Sequence, residues 1–275
     1  IPLPSVNKIV RPDFPLRAMG VYNANTFPEV FLWQTRMGVN YPADLLGLAQ
    51  VCHGTKFITM RDEMKAAHPE IYRVDTRGRV TDNKKGQGSP CLSTPGFREK
   101  QGNFVRAMFD HFQSGMVSLD VSDGFRPCLC DRCQGTTQPE QGEDGLLSEY
   151  VWGYVNGLAR DLHRTHPDDK VSGLSYGRYR NPPKNAGPLS PNVTLVYCQH
   201  RNAFGDAEVR EKFVNRRNEW LKILTSKSMY TFDFHLLSDP DSAWSGVPAY
   251  FPREIADDIR SLKGVSLGDF LSVAY

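Results

Sequence analysis

The sequence predicts an α/β fold, an irregular (β/α)8 TIM-like barrel that forms a single domain over residues 1–275. Two observations favour this fold. Short apolar runs alternate with amphipathic helical stretches, and there are about eight such runs, which suits a closed barrel better than an open sheet. Because the chain starts at Ile1 and its last residues still resemble a strand, we expect it to be part of a larger protein.

Each predicted strand is a short apolar run bounded by polar loop residues. The runs at residues 48–52 and 90–93 are the weakest strand predictions. In chain order, the predicted strands are residues 15–22, 48–52, 90–93, 116–121, 171–177, 193–199, 229–235 and 265–270.

Amphipathic helices are predicted between these strands. Pro95 lies where a helix can begin, and Asp144 is predicted to cap the helix whose apolar stripe runs from 147 to 162. Two segments are predicted to be irregular: the Pro-rich link at 177–193, and the polar stretch at 75–88, which we expect to be a hairpin or a mobile loop. The other predicted helices are residues 28–37, 97–112, 209–224 and 255–262.

Composition excludes some classes of partner. The formal net charge of +2 creates no large field toward nucleic acid. No apolar run is long enough to span a bilayer. With 40% hydrophobic and 23% charged residues, the chain has an ordinary globular composition.

Reactive side chains follow several predicted strands, at the edge where barrel enzymes carry their chemistry. Asp233 lies between two phenylalanines, so we expect it to face inward and to be functional. Carboxylates provide acid and base groups and aromatic faces stack on sugar rings, so this set suits glycan binding and cleavage. The candidates for contacting a sugar are Asp123, Tyr176, Arg178, His200 and His235.

Some of these residues have structural alternatives. Asp120 follows the strand at 116–121 and could be a helix cap. His200 and His235 could be hydrogen-bonded neutral imidazoles without a role in binding.

Three cysteines lie within six positions, at Cys128, Cys130 and Cys133. This spacing suits a structural metal site, and zinc requires four ligands. Cys91, at the end of the preceding predicted strand, is the candidate for the fourth. The alternative is a disulfide plus a free thiol, which an exported protein would favour.

A series of short motifs occurs in a fixed order along nearly the whole chain. They are His53-Gly54, the turn at 67–72, the segment at 91–95, the segment at 121–124 leading into the cysteine loop, and the segments at 148–152 and 165–168 before a strand that ends in Tyr176. In these motifs the chain resembles a family of bacterial barrel proteins, described as a domain of unknown function, part of which is classed as glycoside hydrolase family 163. That family is related to hexosaminidase and α-glucuronidase barrels.

The resemblance implies endo-β-N-acetylglucosaminidase activity on N-glycans in a secreted or periplasmic protein that needs no cofactor for catalysis. In the implied substrate-assisted mechanism, the acetamido oxygen of the substrate attacks the anomeric carbon. By position, Asp233 would orient the acetamide and Asp269 would protonate the leaving oxygen, although family members tend to have Glu where this chain has Asp269. His53 and Asp123 would contact the sugar.

Two other functions remain open at this point. A glycosidase for uronic-acid-containing polysaccharide would use Arg178 or Arg201 to pair with the substrate carboxylate. A non-catalytic glycan-binding barrel would explain the absence of the expected Glu.

Overall fold

The computed structural model describes residues 11–20, 28–39, 53–81, 88–235 and 251–273. The described chain is a mixed α/β structure. Its strands are β1 (Leu16–Gly20), β2 (Val74–Asp75), β3 (Gly78–Arg79), β4 (Met116–Ser118), β5 (Lys170–Ser175), β6 (Val193–Gln199), β7 (Met229–His235) and β8 (Gly268–Val273). Its α-helices are α1 (Pro28–Arg36), α2 (Lys56–Thr59), α3 (Asp62–Ala67), α4 (Pro95–Phe112), α5 (Ser148–His163), α6 (Ala207–Ile223) and α7 (Pro252–Ser261).

Six of the strands form one parallel sheet in the order β1-β8-β7-β6-β5-β4. The first and last strands of the described residues are neighbours, with Leu16 opposite Gly268. Every other neighbour in this sheet is a consecutive strand. The prediction of an α/β fold with a parallel sheet is therefore confirmed.

Helices α5 and α6 pack together on one face of this sheet. The rings of Trp152 on α5 and Trp220 on α6 have centroids 4.4 Å apart. Trp152 rests on β5 where Gly173 has no side chain, since a Cβ there would lie 2.5 Å from the indole. We call this the helix face of the sheet. All seven residues of β6 are buried, so the opposite face of this strand is also covered.

Two strands have the bounds that the sequence predicts, whereas β4 ends earlier and β8 begins later than predicted. β6 and β7 have the predicted bounds. β4 stops at Ser118, because the Leu174 amide donates to the Asp120 carboxylate instead of to the backbone of β4. β8 begins at Gly268 because the Val265 amide donates to the Leu262 carbonyl in the turn after α7.

Two other predictions need correction. Asp144 does not cap α5, because the residue at the cap position is Leu147, three residues later in the chain. The Asp144 carboxylate instead pairs with Arg180 at 3.2 Å. The segment predicted as a strand at 90–93 does not form one, because Pro90 makes only an isolated antiparallel bridge with Tyr72. The predicted strand at 48–52 lies outside the described residues.

The two predicted irregular segments are confirmed where they are described. β2 and β3 form a two-stranded antiparallel hairpin at the start of the polar stretch. The Pro-rich link contains a 3-10 helix at Gly177–Tyr179 and no α-helix. Within the described ranges, no helix is both long and apolar enough to cross a membrane.

Candidate functional site

His53 and Asp123 meet at the carboxyl end of β4. The His53 Nε2 lies 3.4 Å from Asp123 Oδ1, and the side chains are 17% and 34% exposed, so solvent reaches both. The His53 Nδ1 lies 3.0 Å from the Val121 carbonyl oxygen. Gly124 follows with φ of +69°, a left-handed conformation that favours glycine and turns the chain away from the sheet. The pair thus lies at the edge where parallel α/β sheets bind ligands.

The hydrogen bonds of His53 restrict where its protons are. A carbonyl oxygen only accepts, so Nδ1 must carry a proton to donate to Val121. Nε2 and the Asp123 carboxylate would then both be acceptors, unless one further proton lies on the imidazole or on the carboxyl group. An imidazole and a carboxyl group in contact are side chains of the kind that transfer protons to and from substrate oxygens.

Gly54 explains why a glycine follows His53. A Cβ at this position would lie 1.8 Å from the Ser118 carbonyl oxygen, so only glycine allows this close approach. The Gly54 amide donates to the Ser118 hydroxyl at 3.2 Å, and the Thr55 amide donates to the Asp120 carbonyl at 2.9 Å. These contacts hold His53 against the end of β4.

Asp120, three residues before Asp123 in the chain, is buried. Its carboxylate accepts from the Leu174 amide and from the Ser118 hydroxyl. Burial raises the pKa of Asp120 to about 8, although both hydrogen bonds oppose the shift. The contacts make Asp120 a link between β4 and β5, and they do not make it the cap of a helix.

Tyr176 follows β5 and packs on the face of the sheet opposite the helix face, against a cluster formed by Leu174, Val196 and Cys198. Burial raises the pKa of Tyr176, and the negative charge of Asp123 adds to this shift. Tyr176 therefore belongs to the same region as the His53–Asp123 pair.

The other predicted sugar contacts are more scattered. Arg178 donates to Glu143 at 2.7 Å near the surface. The His200 ring stacks on Phe234, with ring centroids 5.1 Å apart. His235 ends β7 opposite Val273, and its side chain lies outside the described part of the chain.

Asp233 is fully buried in a network around Arg201, which follows β6. Asp233 Oδ1 accepts from the Arg201 amide at 2.9 Å, and its Oδ2 lies 3.0 Å from Arg201 Nε. The same guanidinium pairs with Asp258 of α7 at 2.8 Å and with Asp269 of β8 at 2.6 Å. Arg217 of α6 pairs with Asp258 at 3.0 Å. We call these five residues the Arg201 network.

Burial and neighbouring charges shift the pKa values of the carboxyl groups in this network. Three carboxylates face two guanidinium groups, so one carboxylate lacks a cation of its own. Burial raises the pKa of Asp233 to about 8; Arg201 opposes the shift and Asp269 adds to it. Burial acts in the same direction on Asp258, but Arg201 and Arg217 outweigh it and lower the pKa of that carboxyl group.

The Arg201 network lies on the helix face. Asp233 is paired with Gln199 in register, and Thr231 with Tyr197, whose hydroxyl donates to the Phe213 carbonyl of α6. Asp269 accepts from the Thr231 hydroxyl at 2.7 Å on the same face. Tyr176, by contrast, packs on the opposite face. The structure therefore brings His53, Asp123 and Tyr176 together, and it groups Asp233 with Asp269 elsewhere.

Arg217 and Asp258 were not anticipated as partners of these strand residues. Both lie on helices, among other charged residues that face solvent, and only their contacts distinguish them. Alternation along β7 was the available signal. It groups Asp233 with Thr231, and not with the phenylalanines that flank it.

The four predicted cysteines form a cluster, as expected. The sulfur atoms of Cys91, Cys128, Cys130 and Cys133 all lie within 4.8 Å of one another. All four are free thiols and three are buried. The Leu129 amide donates to the Val74 carbonyl at 2.8 Å, which fixes the cysteine loop to β2. This cluster has the ligands and the spacing to hold a metal ion.

Comparison with protein families gives one match. A family model described as a domain of unknown function, DUF4838, matches residues 1–265. A search of the curated proteins found no match. Since the match covers nearly the whole length, the chain belongs to the DUF4838 family.

Proposed function

We propose that this chain is a (β/α)8 barrel that acts as a glycoside hydrolase on an N-acetylglucosaminide glycan, with the sugar bound beside His53, Asp123 and Tyr176. Strand order supports the barrel, since in the described sheet consecutive strands are neighbours and the first strand pairs with the last. The complete burial of β6 agrees with a strand whose second face lines a packed barrel interior. The sequence motifs around His53 and Asp123 support the substrate class.

The His53–Asp123 pair is the observation that carries this proposal. It is partly exposed, it lies at the ligand-binding edge, and it combines an imidazole with a carboxyl group, which are side chains that act in general acid–base catalysis. In the proposed reaction the acetamido oxygen of the substrate attacks the anomeric carbon while the bond to the leaving oxygen breaks. The pair gives its proton to that oxygen, and it regains a proton from the water that later opens the cyclic intermediate.

This proposal assigns neither the acetamide-orienting role to Asp233 nor the acid role to Asp269. Asp233 has no exposed surface, and its oxygens accept from the Arg201 amide and the Gln199 side chain. Asp269 is 26% exposed, but its two oxygens accept from Arg201 and Thr231. A carboxylate so occupied is a poor acid for a glycosidic oxygen, whereas Asp123 is reachable.

The uronic-acid alternative has weaker support. Arg201 is buried and pairs with three aspartates, so a substrate carboxylate would have to displace one of them. Arg178 already pairs with Glu143.

The test is glycan release from an N-glycoprotein by the full chain, followed by mass spectrometry. Asp123→Asn should lower turnover by about 10²–10⁴-fold, because it removes the carboxyl group of the proposed acid. Asp110→Asn is the matched control, since Asp110 pairs with His166 at 3.1 Å in another exposed Asp–His contact. Absence of release by the folded wild type, or equal release by wild type and Asp123→Asn, would reject the proposal.

We further propose that the cysteine cluster holds a structural Zn²⁺ ion. Four sulfurs at about 2.3 Å from a tetrahedral zinc lie about 3.8 Å apart. Cys91 Sγ lies 3.5 Å from Cys133 Sγ and 3.7 Å from Cys130 Sγ, close to that spacing. These distances are far longer than the about 2.05 Å of a disulfide. The ion would join the segment before α4, which carries Cys91, to the cysteine loop, and it takes no part in the proposed reaction. We also propose that the protein is secreted or periplasmic, because its proposed substrate is a glycan.

A further inference from the structure

The metal site has neighbours that the cysteine motif does not contain. The Tyr150 hydroxyl on α5 lies 3.2 Å from Cys133 Sγ. The Ser93 hydroxyl also lies 3.2 Å from Cys133 Sγ. On the other side, the Val74 amide donates to Cys128 Sγ at 3.2 Å. Three polar groups from three different segments thus contact the sulfur atoms.

The direction of the Tyr150 hydrogen bond follows from its second partner. The Ser93 amide donates to the Tyr150 oxygen at 3.2 Å, so the Tyr150 proton points elsewhere. Cys133 Sγ is the acceptor in reach. A metal-bound thiolate has lost its own proton, so the hydroxyl must be the donor when the ion is present.

Charge makes such donors important. Four thiolates around one Zn²⁺ have a net charge of −2, and three of these cysteines are buried. Burying a negative charge without hydrogen-bond donors is costly. Each O–H or N–H that points at a sulfur reduces this cost, and outer-sphere donors of this kind change metal affinity by about 10–100-fold.

We infer that Tyr150, assisted by Ser93, is an outer-sphere hydrogen-bond donor that determines how tightly the four cysteines retain their metal. The inference rests on the proposed zinc site. Tyr150 also stacks on Phe125, with ring centroids 6.4 Å apart, and Phe125 lies two residues after Asp123. Tyr150 therefore connects the metal site with the loop that carries the proposed acid.

Tyr154 provides a matched control. It lies one turn further along α5, is buried, and donates its hydroxyl to Gln101 at 2.5 Å. Tyr150→Phe and Tyr154→Phe each remove one buried hydroxyl from the same helix. Only the first removes a donor to a sulfur.

The experiment measures zinc release from the zinc-loaded full chain to a chromogenic chelator, together with the thiolate-to-metal absorption of the Co²⁺-loaded chain. Tyr150→Phe should release zinc about tenfold faster than wild type and shift the Co²⁺ absorption, and Ser93→Ala should act in the same direction. Tyr154→Phe should match the wild type in both measurements.

The possible outcomes separate the inference from the zinc site itself. Wild-type protein that holds zinc, with equal release rates in wild type, Tyr150→Phe and Ser93→Ala, would overturn the inference and leave the site intact. Wild-type protein that binds neither ion would overturn both. If Tyr150→Phe does not fold, as judged by circular dichroism, the comparison of Ser93→Ala with wild type decides.

Discussion

The His53–Asp123 pair and the Arg201 network use the same acidic residue type for opposite purposes. Asp123 is 34% exposed and lies 3.4 Å from His53. Asp233 is fully buried and shares a guanidinium with two other aspartates. Asp233 lies near the carboxyl end of β7 and Asp123 follows the carboxyl end of β4, so position along the chain relative to a strand does not assign the role. The role depends instead on the face of the sheet that a side chain occupies and on the residues that it contacts there.

This comparison also gives the two regions different energetic roles. The Arg201 network joins β7 and β8 to the helices α6 and α7 through four buried side chains and the partly exposed Asp269. Losing one partner leaves buried charge without compensation. The His53–Asp123 pair is accessible to water, so its loss changes chemistry more than stability.

The largest effect on stability is expected from Arg201→Met. This substitution leaves three carboxylates near one guanidinium and should lower the free energy of unfolding by about 3–5 kcal/mol in urea denaturation. Arg178→Met is the control, because its pair with Glu143 is near the surface and should contribute at most about 1 kcal/mol. Equal losses in the two variants would contradict the structural role of the network.

The next effect is smaller per pH unit, and it appears in the pH dependence of stability. The pKa of Asp120 is about 8 in the folded protein and near 3.8 when unfolded, so the folded state holds a proton that the unfolded state loses in between. Stability should therefore fall as pH rises from about 4 to about 8, by up to about 1.4 kcal/mol per pH unit for this group.

Asp120→Asn removes this contribution while keeping an oxygen for the Leu174 amide. Urea denaturation at pH 5, 6.5 and 8 (about one and a half units apart) should show a flatter dependence for the variant. Asp233, whose pKa is also raised to about 8, should keep part of the slope. An unchanged slope in Asp120→Asn would show that Asp120 is ionised in the folded protein.

The smallest effect is expected from Asp269→Asn. The amide oxygen can still accept from Arg201 or Thr231, and the site is partly hydrated, so the loss of stability should be about 1–2 kcal/mol. Asp257→Asn, at an exposed pair with Arg260, should change stability by less than about 0.5 kcal/mol. A loss in Asp269→Asn no larger than in this control would remove Asp269 from the network's energetics.

Sequence patterns predicted the secondary structure better than the site. β6 matches its predicted bounds because its residues are apolar enough to be buried throughout, and β7 matches its bounds with buried and half-buried residues in alternation. Cys91 was predicted as the fourth member of the cysteine cluster because the carboxyl ends of neighbouring strands lie close together, and it joins that cluster in the structure.

The role of Asp233 could not be predicted in the same way. Phe232 and Phe234 flank it, so either face of β7 could have been the apolar core. The guanidinium that pairs with Asp233 belongs to Arg201, which follows β6, and the other members of the Arg201 network lie on α6, α7 and β8, all distant in sequence from Asp233. A strand pattern states that alternate residues share a face, but it does not state which face the helices cover.

The most direct test of the central claim compares Asp123→Asn with Asp269→Asn in glycan release per folded molecule. If the exposed pair carries the chemistry and the buried network carries stability, folded Asp269→Asn should release glycan within about threefold of wild type, and Asp123→Asn should lose at least about a hundredfold. Loss of release in folded Asp269→Asn with full release in Asp123→Asn would contradict this account and return the acid role to Asp269.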